Sequence, residues 1–501
     1  MADLVAARRA RLAALRERGV DPFHATRYDV TAHAADLAAK YNGLEEQGRA
    51  EGETWQLAGR VMSARGQGKV IFFDLHDRTG RFQLFVRAND VGDEQFAIAK
   101  EIERGDIMGA SGFVFRTKSG ELSLYVRSFE ILGKSLQPLP DKWHGLQDVE
   151  KRYRRRYVDL IVNPPVRETM IARSRIVAEM RRFIDGQGFF EVETPTLLTI
   201  AGGATARPFL THSNALDIPL SLRIATELYL KRLIVGGMER VYEIGRIWRN
   251  EGIDRTHNPE FTMLELYAAF WDVEDMMRFN EELMEHLART VHGTETVVYG
   301  EDTVSFKTPF RRIGYLEAFK EYGGIEREQL LNPDGAFQLL RDFGIPESPT
   351  HAHALDKLFE RIVEPHLIQP TFVYGYPVVL SPLAKRMRDD PVLTERYELF
   401  AAHMELANAF TELNDPDDQR RRFELQIAEK EAGDEEVPPP DWDFVRALEY
   451  GMPPTAGIGI GVDRLVMMLT NNESIRDILL FPLQRPLPPE EADGEDDDAV
   501  E

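Results

Sequence analysis

The amino-acid sequence predicts an α+β protein with two main parts: a small β-barrel near the N-terminus and a larger domain of helices and strands. Residues 54–132 alternate apolar and polar side chains with a period of two, which is typical of strands. Beyond Pro165, helical and strand patterns interleave without a break to about Pro486. With 501 residues, 43% of them hydrophobic, the chain can bury more than one core.

The overall composition excludes several classes of protein. The absence of cysteine excludes a disulfide framework and thiolate metal sites, and it makes the cytoplasm the expected location. No apolar run approaches the roughly eighteen residues of a membrane span, so no membrane association is expected. The net charge of −23 argues only weakly against a nucleic-acid partner, because binding follows local patches. Residues 487–501 carry eight acidic residues and no basic one, which predicts a disordered acidic tail.

Residues 1–54 form the predicted N-terminal helical extension. Residues 2–18 contain no helix breaker, and Gly19 and Pro22 end the helix. The pattern turns three leucines inward (Leu4, Leu12, Leu15) and five arginines largely outward (Arg8, Arg9, Arg11, Arg16, Arg18). A solvated face and an RNA-contacting face explain these arginines equally well.

Residues 55–137 are the predicted barrel. Five strand candidates lie at 54–64, 69–77, 81–87, 106–117 and 121–132, with a short helical stretch near 93–104. Five short strands with a helix between the third and fourth predict an OB-fold. This architecture often binds single-stranded nucleic acid.

The phase of two strands indicates where such binding would occur. Ile71, Phe73 and Leu75 share the inner face of the second strand, so Phe72 points outward, and the same alternation leaves Gln83 outside in the third strand. An outward ring beside an outward amide can stack on a base and read its edge. An isolated exposed phenylalanine is commonplace, so the phase alone does not distinguish a base-stacking ring from a ring without a binding role.

The barrel is followed by a predicted linker or hinge at 138–165, which holds a basic cluster from Lys151 to Arg156. Residues 166–486 then read as one continuous domain. It opens with an amphipathic helix at 166–186 and a strand at 189–193 that ends at Pro195.

The most informative segments are 249–267 and 457–464. The first predicts a hairpin with a polar loop around Gly252, preceded by Arg249. The second reads as a turn with glycines at alternate positions, where a backbone passes close to a ligand, followed by a helix with Arg464 in its first turn. Two arginines, a histidine and an aromatic ring are suited to binding a triphosphate and a flat base.

These two segments resemble the second and third signature motifs of class II aminoacyl-tRNA synthetases. The surrounding residues, from about 5 to 486, are similar to the lysyl-tRNA synthetases. The resemblance implies a catalytic domain built on an antiparallel sheet flanked by helices, and a homodimer formed through the 166–195 region. It also implies activation of L-lysine with ATP and Mg²⁺ to lysyl-adenylate, followed by transfer of the lysyl group to the 3′ end of tRNA(Lys).

The resemblance assigns a set of site residues. The ATP-binding positions are Arg249, Glu251, His257, Phe261 and Arg464, of which Arg249 and Arg464 are the catalytic pair. The lysine-binding positions are Gly203, Glu227, Arg249, Glu265, Tyr267, Asn408 and Glu412. The metal-binding positions are Glu398 and Glu405, and those for the central anticodon uridine are Arg65, Phe72 and Gln83.

The chemistry of these residue types is compatible with the implied roles. Cations must neutralise the phosphates of ATP and hold the attacking carboxylate in line. A buried ammonium requires carboxylate and hydroxyl acceptors, which Glu412 and Tyr267 supply. Magnesium prefers hard oxygen ligands, although the spacing of Glu398 and Glu405 does not by itself place them on one face.

The sequence departs from the family pattern at a few positions. Thr226 stands where proline is usual, and Ala407 and Ala409 flank Asn408 where many bacterial members have glycine. We expect the two alanines to narrow the pocket.

Three alternatives share part of this pattern. An aspartate- or asparagine-specific synthetase would share the barrel and motifs, but the acidic pocket argues against it, and an aspartate-specific one would need a cation there. A paralogue that transfers lysine to a protein would resemble the catalytic half alone. A non-catalytic RNA-binding paralogue would be expected to lose Arg249, Arg464 or the two metal-binding glutamates, and all four are present.

Overall fold

The computed structural model describes residues 2–140, 146–431 and 439–487. The chain divides into two compact units, one drawn from residues 1–163 and 485–501 and the other from residues 164–484. The predicted disordered tail falls almost entirely on residues 488–501, outside the described part of the chain.

The first unit contains five strands and six helices among its described residues. In chain order they are α1 (Ala2–Glu17), α2 (Ala34–Lys40), β1 (Trp55–Gln67), β2 (Val70–His76), β3 (Arg81–Arg87), α3 (Ala88–Val91), α4 (Asp93–Ala99), β4 (Ile107–Arg116), β5 (Leu122–Gly133), α5 (Val149–Arg154) and α6 (Arg156–Val162). The strands close into a barrel in the order β1-β2-β3-β5-β4, which confirms the predicted OB-fold.

The barrel interior follows the predicted alternation. Ile71, Phe73 and Leu75 of β2 are buried together with Leu84 of β3, and they belong to one apolar cluster that α1 and α2 also join. The neighbouring Phe72 lies on the outer face and stays partly exposed. The inner face of the barrel could therefore be assigned from the period-two pattern alone.

Helix α1 packs on the barrel with fewer inward leucines and more bound arginines than its pattern predicts. Leu12 and Leu15 are buried, but the prediction for Leu4 was wrong, since it remains 49% exposed. Arg8 donates to the carbonyl oxygens of Ser135 at 2.8 Å and Arg104 at 3.1 Å, and Arg11 pairs with Glu103. Long arginine side chains thus bind the barrel surface from the polar edge of the helix.

The segment predicted as a linker at 138–165 contains two short helices, α5 and α6. Within its basic cluster, Arg156 is fully buried and its guanidinium lies 2.5 Å from the carboxylate of Asp159. Asn163 donates to Asp159 as well, at 2.6 Å. At least part of this cluster is therefore structural.

The second unit contains the remaining strands and helices. The strands are β6 (Phe190–Glu191), β7 (Leu197–Leu198), β8 (Leu210–Ser213), β9 (Ile218–Leu222), β10 (Arg240–Trp248), β11 (Glu260–Ala269), β12 (Thr296–Tyr299), β13 (Asp302–Ser305), β14 (Arg311–Gly314), β15 (Thr371–Tyr374), β16 (Arg396–Ala401), β17 (Met404–Thr411) and β18 (Thr455–Gly461). The α-helices are α7 (Pro164–Gly186), α8 (Glu227–Val235), α9 (Val273–His292), α10 (Tyr315–Gly323), α11 (Arg327–Leu331), α12 (Pro333–Asp342), α13 (His351–Ile362), α14 (Pro416–Glu431), α15 (Trp442–Glu449) and α16 (Val462–Leu469), with 3₁₀ turns at Glu364–His366 and Val378–Leu380.

An eight-stranded sheet organises the second unit in the order β14-β15-β16-β17-β18-β11-β10-β6. The pairs from β15 to β10 are antiparallel, whereas the outermost pairs β14/β15 and β10/β6 are parallel. The prediction of an antiparallel sheet flanked by helices is confirmed for the centre of the sheet, whereas the strand pair at each edge is parallel.

The two faces of this sheet have different roles. Alternate residues such as Leu264, Ile458 and Ala409 are fully buried on one face, in a cluster with residues of α7, α9 and α16. The opposite face carries Glu265 and Asn408, which are polar. A functional site is therefore expected on the second face, above the middle strands.

No helix of the described residues is long and apolar enough to cross a membrane.

Adjacent phenylalanines of β2 offer a test of the barrel. Phe73→Ala should lower the local free energy of unfolding by about 3–5 kcal/mol, because it leaves a cavity at a fully buried position. Phe72→Ala is the matched control and should cost less, since its ring is only partly removed from solvent. Hydrogen exchange of the barrel amides measures both, and equal costs would contradict the assignment of the two faces.

Candidate active site

The floor of the site is a strand that lacks side chains on its open face. Gly457, Gly459 and Gly461 are alternate residues of β18, so they share the face opposite to the buried Ile458 and Ile460. The prediction that these glycines form a turn was wrong, because β18 pairs with both β11 and β17 along its length. Packing within the protein also requires glycine at this position, because a Cβ on Gly457 would lie 2.3 Å from the ring of Tyr267.

Side chains from neighbouring strands are brought together around this floor by the strand register. Glu265 of β11 and Asn408 of β17 both pair with Gly459, and Glu398 of β16 pairs with Asn408. Tyr267 pairs with Gly457 in the next row of the same face. Four residues separated by up to 143 positions in sequence thus line one patch of sheet.

A cavity of about 280 Å³ lies over this patch. Its wall includes five predicted lysine-binding residues besides Arg249: Gly203, Glu227, Glu265, Tyr267 and Asn408. Glu227 opens α8, and Gly203 has a φ of +90°, a conformation that favours glycine. We refer to this space as the carboxylate cavity.

The carboxylate cavity takes its charge from acids that are removed from water. Glu265 is buried; its carboxylate accepts hydrogen bonds from the Thr226 amide at 2.9 Å and the Tyr267 hydroxyl at 3.2 Å. Burial raises the pKa of Glu265 to about 7, and the nearby Glu227 adds to that shift. Glu412 is fully buried directly behind the cavity wall, beside Gly457.

A second cavity, of about 890 Å³, adjoins the other end of the patch. Its wall includes His257, Glu398, Glu405 and Arg464. Arg464, in the first turn of α16, donates to the carboxylate of Glu405 at 3.1 Å and to Nε2 of His257 at 3.1 Å. We refer to this space as the cationic cavity after Arg249, His257 and Arg464, although its wall also holds five acids: Asp356, Glu360, Glu364, Glu398 and Glu405.

The predicted hairpin supplies His257 to the cationic cavity. Strands β10 and β11 pair in antiparallel register, and residues 249–259 connect them. Asp254 accepts from the backbone amide of His257 at 2.7 Å and contacts its Nδ1 at 2.8 Å. With Nδ1 donating to Asp254, Nε2 is left as the acceptor for Arg464, which fixes the tautomer.

The two predicted metal-binding glutamates lie on adjacent strands and both line the cationic cavity, which their spacing in sequence did not indicate. The carboxylate of Glu398 accepts from Tyr376 at 2.7 Å and from Arg396 at 2.5 Å. Burial raises the pKa of Glu398 to about 7, although the Arg396 guanidinium opposes the shift. Two carboxylates in the wall of one cavity are hard oxygen donors of the kind that fits Mg²⁺, which usually keeps several waters.

Arg249 lies in the wall of both cavities. Its guanidinium carbon is 5.3 Å from the centre of the Phe261 ring, and its Nε is buried without a hydrogen-bond partner among the described residues. A guanidinium with an unused buried donor, placed in the wall shared by two cavities, is arranged to receive an anion.

Two predicted ATP-binding residues lie apart from the cavity walls. Glu251 is exposed in the hairpin loop and lines neither cavity. Phe261 also lines neither cavity, and the guanidinium of Arg249 lies over its ring. Phe261 therefore supports Arg249 in this arrangement.

The departures from the family pattern have local explanations. Ala407 and Ala409 are buried in the core on the opposite face from Asn408, so the expectation that they narrow the pocket was wrong. The backbone amide of Thr226 donates to Glu265, a bond that proline could not make.

Two residues of the site were missed by sequence reasoning. Arg396 lines the carboxylate cavity and contacts Asn408 at 3.1 Å as well as Glu398. Lys231 is fully buried between Glu227, at 2.5 Å, and Glu412. The spacing of Lys231 four residues after Glu227 on a helix was a usable signal, since such pairs share a face.

On the barrel, the three predicted anticodon-binding residues share the outer face. Arg65 pairs with Phe72 across β1 and β2, and its side chain is 61% exposed. Gln83 also lies on this face, but its expected exposure was wrong: it is 7% exposed, and its Oε1 accepts from Ser123 at 2.8 Å. The ring of Phe72 packs 5.2 Å from that of Phe85.

Comparisons with known proteins agree with this geometry. The family described as tRNA synthetases class II (D, K and N) matches residues 148–485, and the OB-fold nucleic acid binding domain matches residues 55–132. A lysine–tRNA ligase of Halalkalibacterium halodurans is 53% identical over 96% of this chain and 97% of its own length. Similar lysine–tRNA ligases come from Bacillus subtilis (52% identical; 96% and 97% covered) and Moorella thermoacetica (52% identical; 97% and 98% covered).

The bare floor of the site can be tested with alanine. Gly457→Ala should displace Tyr267 and lower the melting temperature, because the added Cβ would lie 2.4 Å from Glu412 as well as 2.3 Å from the Tyr267 ring. Gly461→Ala is the matched control, since its Cβ would meet Arg464 at an ordinary 3.7 Å. Thermal unfolding compares the two. An equal loss in both variants would show that strand conformation, and not close approach, selects glycine here.

Proposed function

The chain belongs to the class II tRNA synthetases of the D, K and N group, and from that premise we propose that it joins L-lysine to the 3′ end of tRNA(Lys), using ATP. The reaction has two steps. Lysine and ATP form lysyl-adenylate and pyrophosphate, and the lysyl group then passes to the terminal ribose of the tRNA.

The position of Arg249 between the two cavities carries this proposal. The carboxylate cavity takes the amino acid and the cationic cavity takes the triphosphate, so the amino-acid carboxylate and the α-phosphate meet at one guanidinium. There a carboxylate oxygen forms a bond to the α-phosphorus while the bond to the pyrophosphate oxygen breaks. Arg249 offsets the mutual repulsion of the two anions and holds them in line.

The acidic lining selects a cationic side chain. Glu227 and Glu265 receive the α-ammonium group, Asn408 lies beside the carboxylate, and Glu412 with Tyr267 receives the ε-ammonium group. Buried carboxylates stabilise an ammonium that has left water far more than an uncharged side chain of the same length. Aspartate or asparagine would face these acids without a compensating charge, which argues against the sister specificities.

The triphosphate is held from the cationic cavity. Arg464 and His257 face the outer phosphates, and Arg464 offers its planar group to one side of the adenine. Glu398 and Glu405 would hold Mg²⁺, which supplies positive charge to the departing pyrophosphate when bound. Tyr376 and Arg396 orient Glu398 for that role by their hydrogen bonds at 2.7 and 2.5 Å.

The barrel reads the tRNA. Phe72 offers its ring to the central anticodon base, Gln83 and Arg65 contact the same base, and the match to an OB-fold nucleic acid binding domain supports this assignment. Because the Gln83 side chain is largely covered and bonded to Ser123, its reading of the base requires the amide nitrogen to turn outward.

Other features of the chain bear on its assembly and location. We expect a homodimer formed through residues 166–195, since Phe190 on edge strand β6 is 67% exposed and Ile171 of α7 is 41% exposed. The absence of cysteine supports a cytoplasmic location.

Amino-acid-dependent ATP–pyrophosphate exchange tests the activity and its specificity together. Exchange should depend on lysine and Mg²⁺, and neither aspartate nor asparagine should support it. Exchange driven by aspartate or asparagine would reject the lysine assignment. Absence of exchange with all three would reject catalysis and favour an RNA-binding paralogue.

Arg249→Ala should abolish adenylate formation and leave the fold intact, because the buried Nε of Arg249 has no protein partner among the described residues. Loss of one preorganised donor to the transition state reduces turnover by about 10²–10³-fold. The control is Arg255→Ala in the same loop, whose side chain is 71% exposed and pairs with Glu473. Pyrophosphate exchange and thermal unfolding are measured for both; retained exchange in Arg249→Ala overturns the assigned role.

Phe72→Ala should weaken tRNA charging, since base stacking on an aromatic ring contributes about 1–3 kcal/mol. Lysine-dependent pyrophosphate exchange should be unchanged, because that step does not involve tRNA. The loss should shrink for a tRNA whose central anticodon base has already been changed. Equal losses on the two tRNAs would mean that Phe72 supports the barrel and does not read the base.

A further inference from the structure

A lysine of the protein itself is buried next to the acids that would receive the substrate. The side chain of Lys231 has no exposed surface. Its ammonium lies 2.5 Å from Glu227, forms an ion pair with Glu412, and sits 5.3 Å and 5.8 Å from the rings of Phe410 and Phe444. A buried cation of this kind persists only when it is well paired.

Both oxygens of Glu412 are buried without a hydrogen-bond partner of good geometry among the described residues, but they have different neighbours. Oε2 forms the ion pair with Lys231. Oε1 is buried without a hydrogen-bond partner among the described residues, and it lies beside Gly457 and Tyr267, both of which line the carboxylate cavity. A buried carboxylate oxygen without a donor is costly to maintain, so this one is expected to gain a donor from a ligand.

The charges around Glu412 come from two elements. Helix α8 contributes Glu227 and Lys231, and strand β11 contributes Glu265 and Tyr267. Among the described residues that face Glu412, three carboxylates thus share a buried space with one ammonium, while Arg396 in the same cavity wall is paired with Glu398. Two negative charges remain in excess. Lysine brings two ammonium groups, and its own carboxylate meets Arg249, so the occupied pocket is balanced only if Lys231 remains charged.

We infer that Lys231 is a positioning residue for lysine recognition: its ammonium holds one oxygen of Glu412, favours the carboxylate form, and leaves the other oxygen for the substrate's ε-ammonium group. This inference rests on the proposed function. Burial raises the pKa of Glu412 well above its ordinary value, and Lys231 opposes that shift. Burial lowers the pKa of Lys231, but Glu227 and Glu412 outweigh it and raise the pKa above its usual range, so the ammonium persists.

Without Lys231, the pKa of Glu412 would rise further, because burial and the charges of Glu227 and Glu265 raise it and the opposing cation is lost, so the carboxyl would hold its proton to a higher pH. The carboxylate would return as the pH rises, and the ε-ammonium of lysine stays charged until about pH 10. A change of one unit in pKa alters the ionised fraction by about tenfold. The loss of lysine recognition should therefore be largest at neutral pH and should recover in alkali.

The experiment compares Lys231→Met and Lys231→Gln with wild type in pyrophosphate exchange from pH 7 to pH 9, as ratios to wild type at each pH. The ratios cancel the ionisation of the substrate itself. Both variants should raise the KM for lysine by at least about tenfold at pH 7, less at pH 9, with the KM for ATP unchanged. Lys231→Arg, which retains the charge, should restore most of the lysine affinity.

The matched control is Lys134→Met on the barrel, where a fully buried lysine pairs with Glu103 at 2.9 Å and Asp106 at 2.7 Å. It should leave the KM for lysine unchanged at every pH. A pH-independent rise in the KM for lysine, or an equal rise for ATP in the Lys231 variants, overturns the inference and makes Lys231 a purely structural residue. A wild type without lysine-dependent exchange would instead reject the proposed function.

Discussion

The burial of Glu227, Glu265 and Glu412 around one small cavity is the constraint on which the rest of the site depends. Carboxylates that leave water are unstable as ions unless cations or hydrogen-bond donors compensate them. The protein supplies part of that compensation through Lys231, the Thr226 amide and the Tyr267 hydroxyl. Under the proposed assignment, the remaining negative charge favours a dicationic amino acid over its neutral or acidic relatives.

The sheet makes this concentration of charge possible. Its antiparallel centre sets residues from β11, β16 and β17 in register on one face, while the other face packs on helices and fixes their positions. The glycines of β18 keep the centre of the patch free of side chains, so a substrate can lie against the backbone. Arg249 joins the two parts of the site, because it lines both the carboxylate cavity and the cationic cavity.

Much of this could be predicted from the sequence, for reasons that differ between elements. Period-two alternation identified the inner face of the barrel, and local motifs located Arg249, His257 and Arg464. Long-range register could not be read from one sequence: the glycine segment was taken for a turn, and the alanines beside Asn408 were assigned to the wrong face. The contacts that bury Gln83 and Glu412 were also not predicted. The strand pattern around Gln83 does not indicate its hydrogen bond with Ser123, and the residues next to Glu412 in sequence do not indicate its ion pair with Lys231.

Proton release on lysine binding reports on the buried carboxylates around the carboxylate cavity. Because burial raises the pKa of Glu265 to about 7, this carboxyl is partly protonated in the free protein near neutral pH, and an incoming ammonium should displace the proton. Titration calorimetry in buffers of different ionisation enthalpy counts the protons. We expect the number of protons released on lysine binding to grow as the pH falls from 8 to 6. Binding without proton release across that range would contradict it.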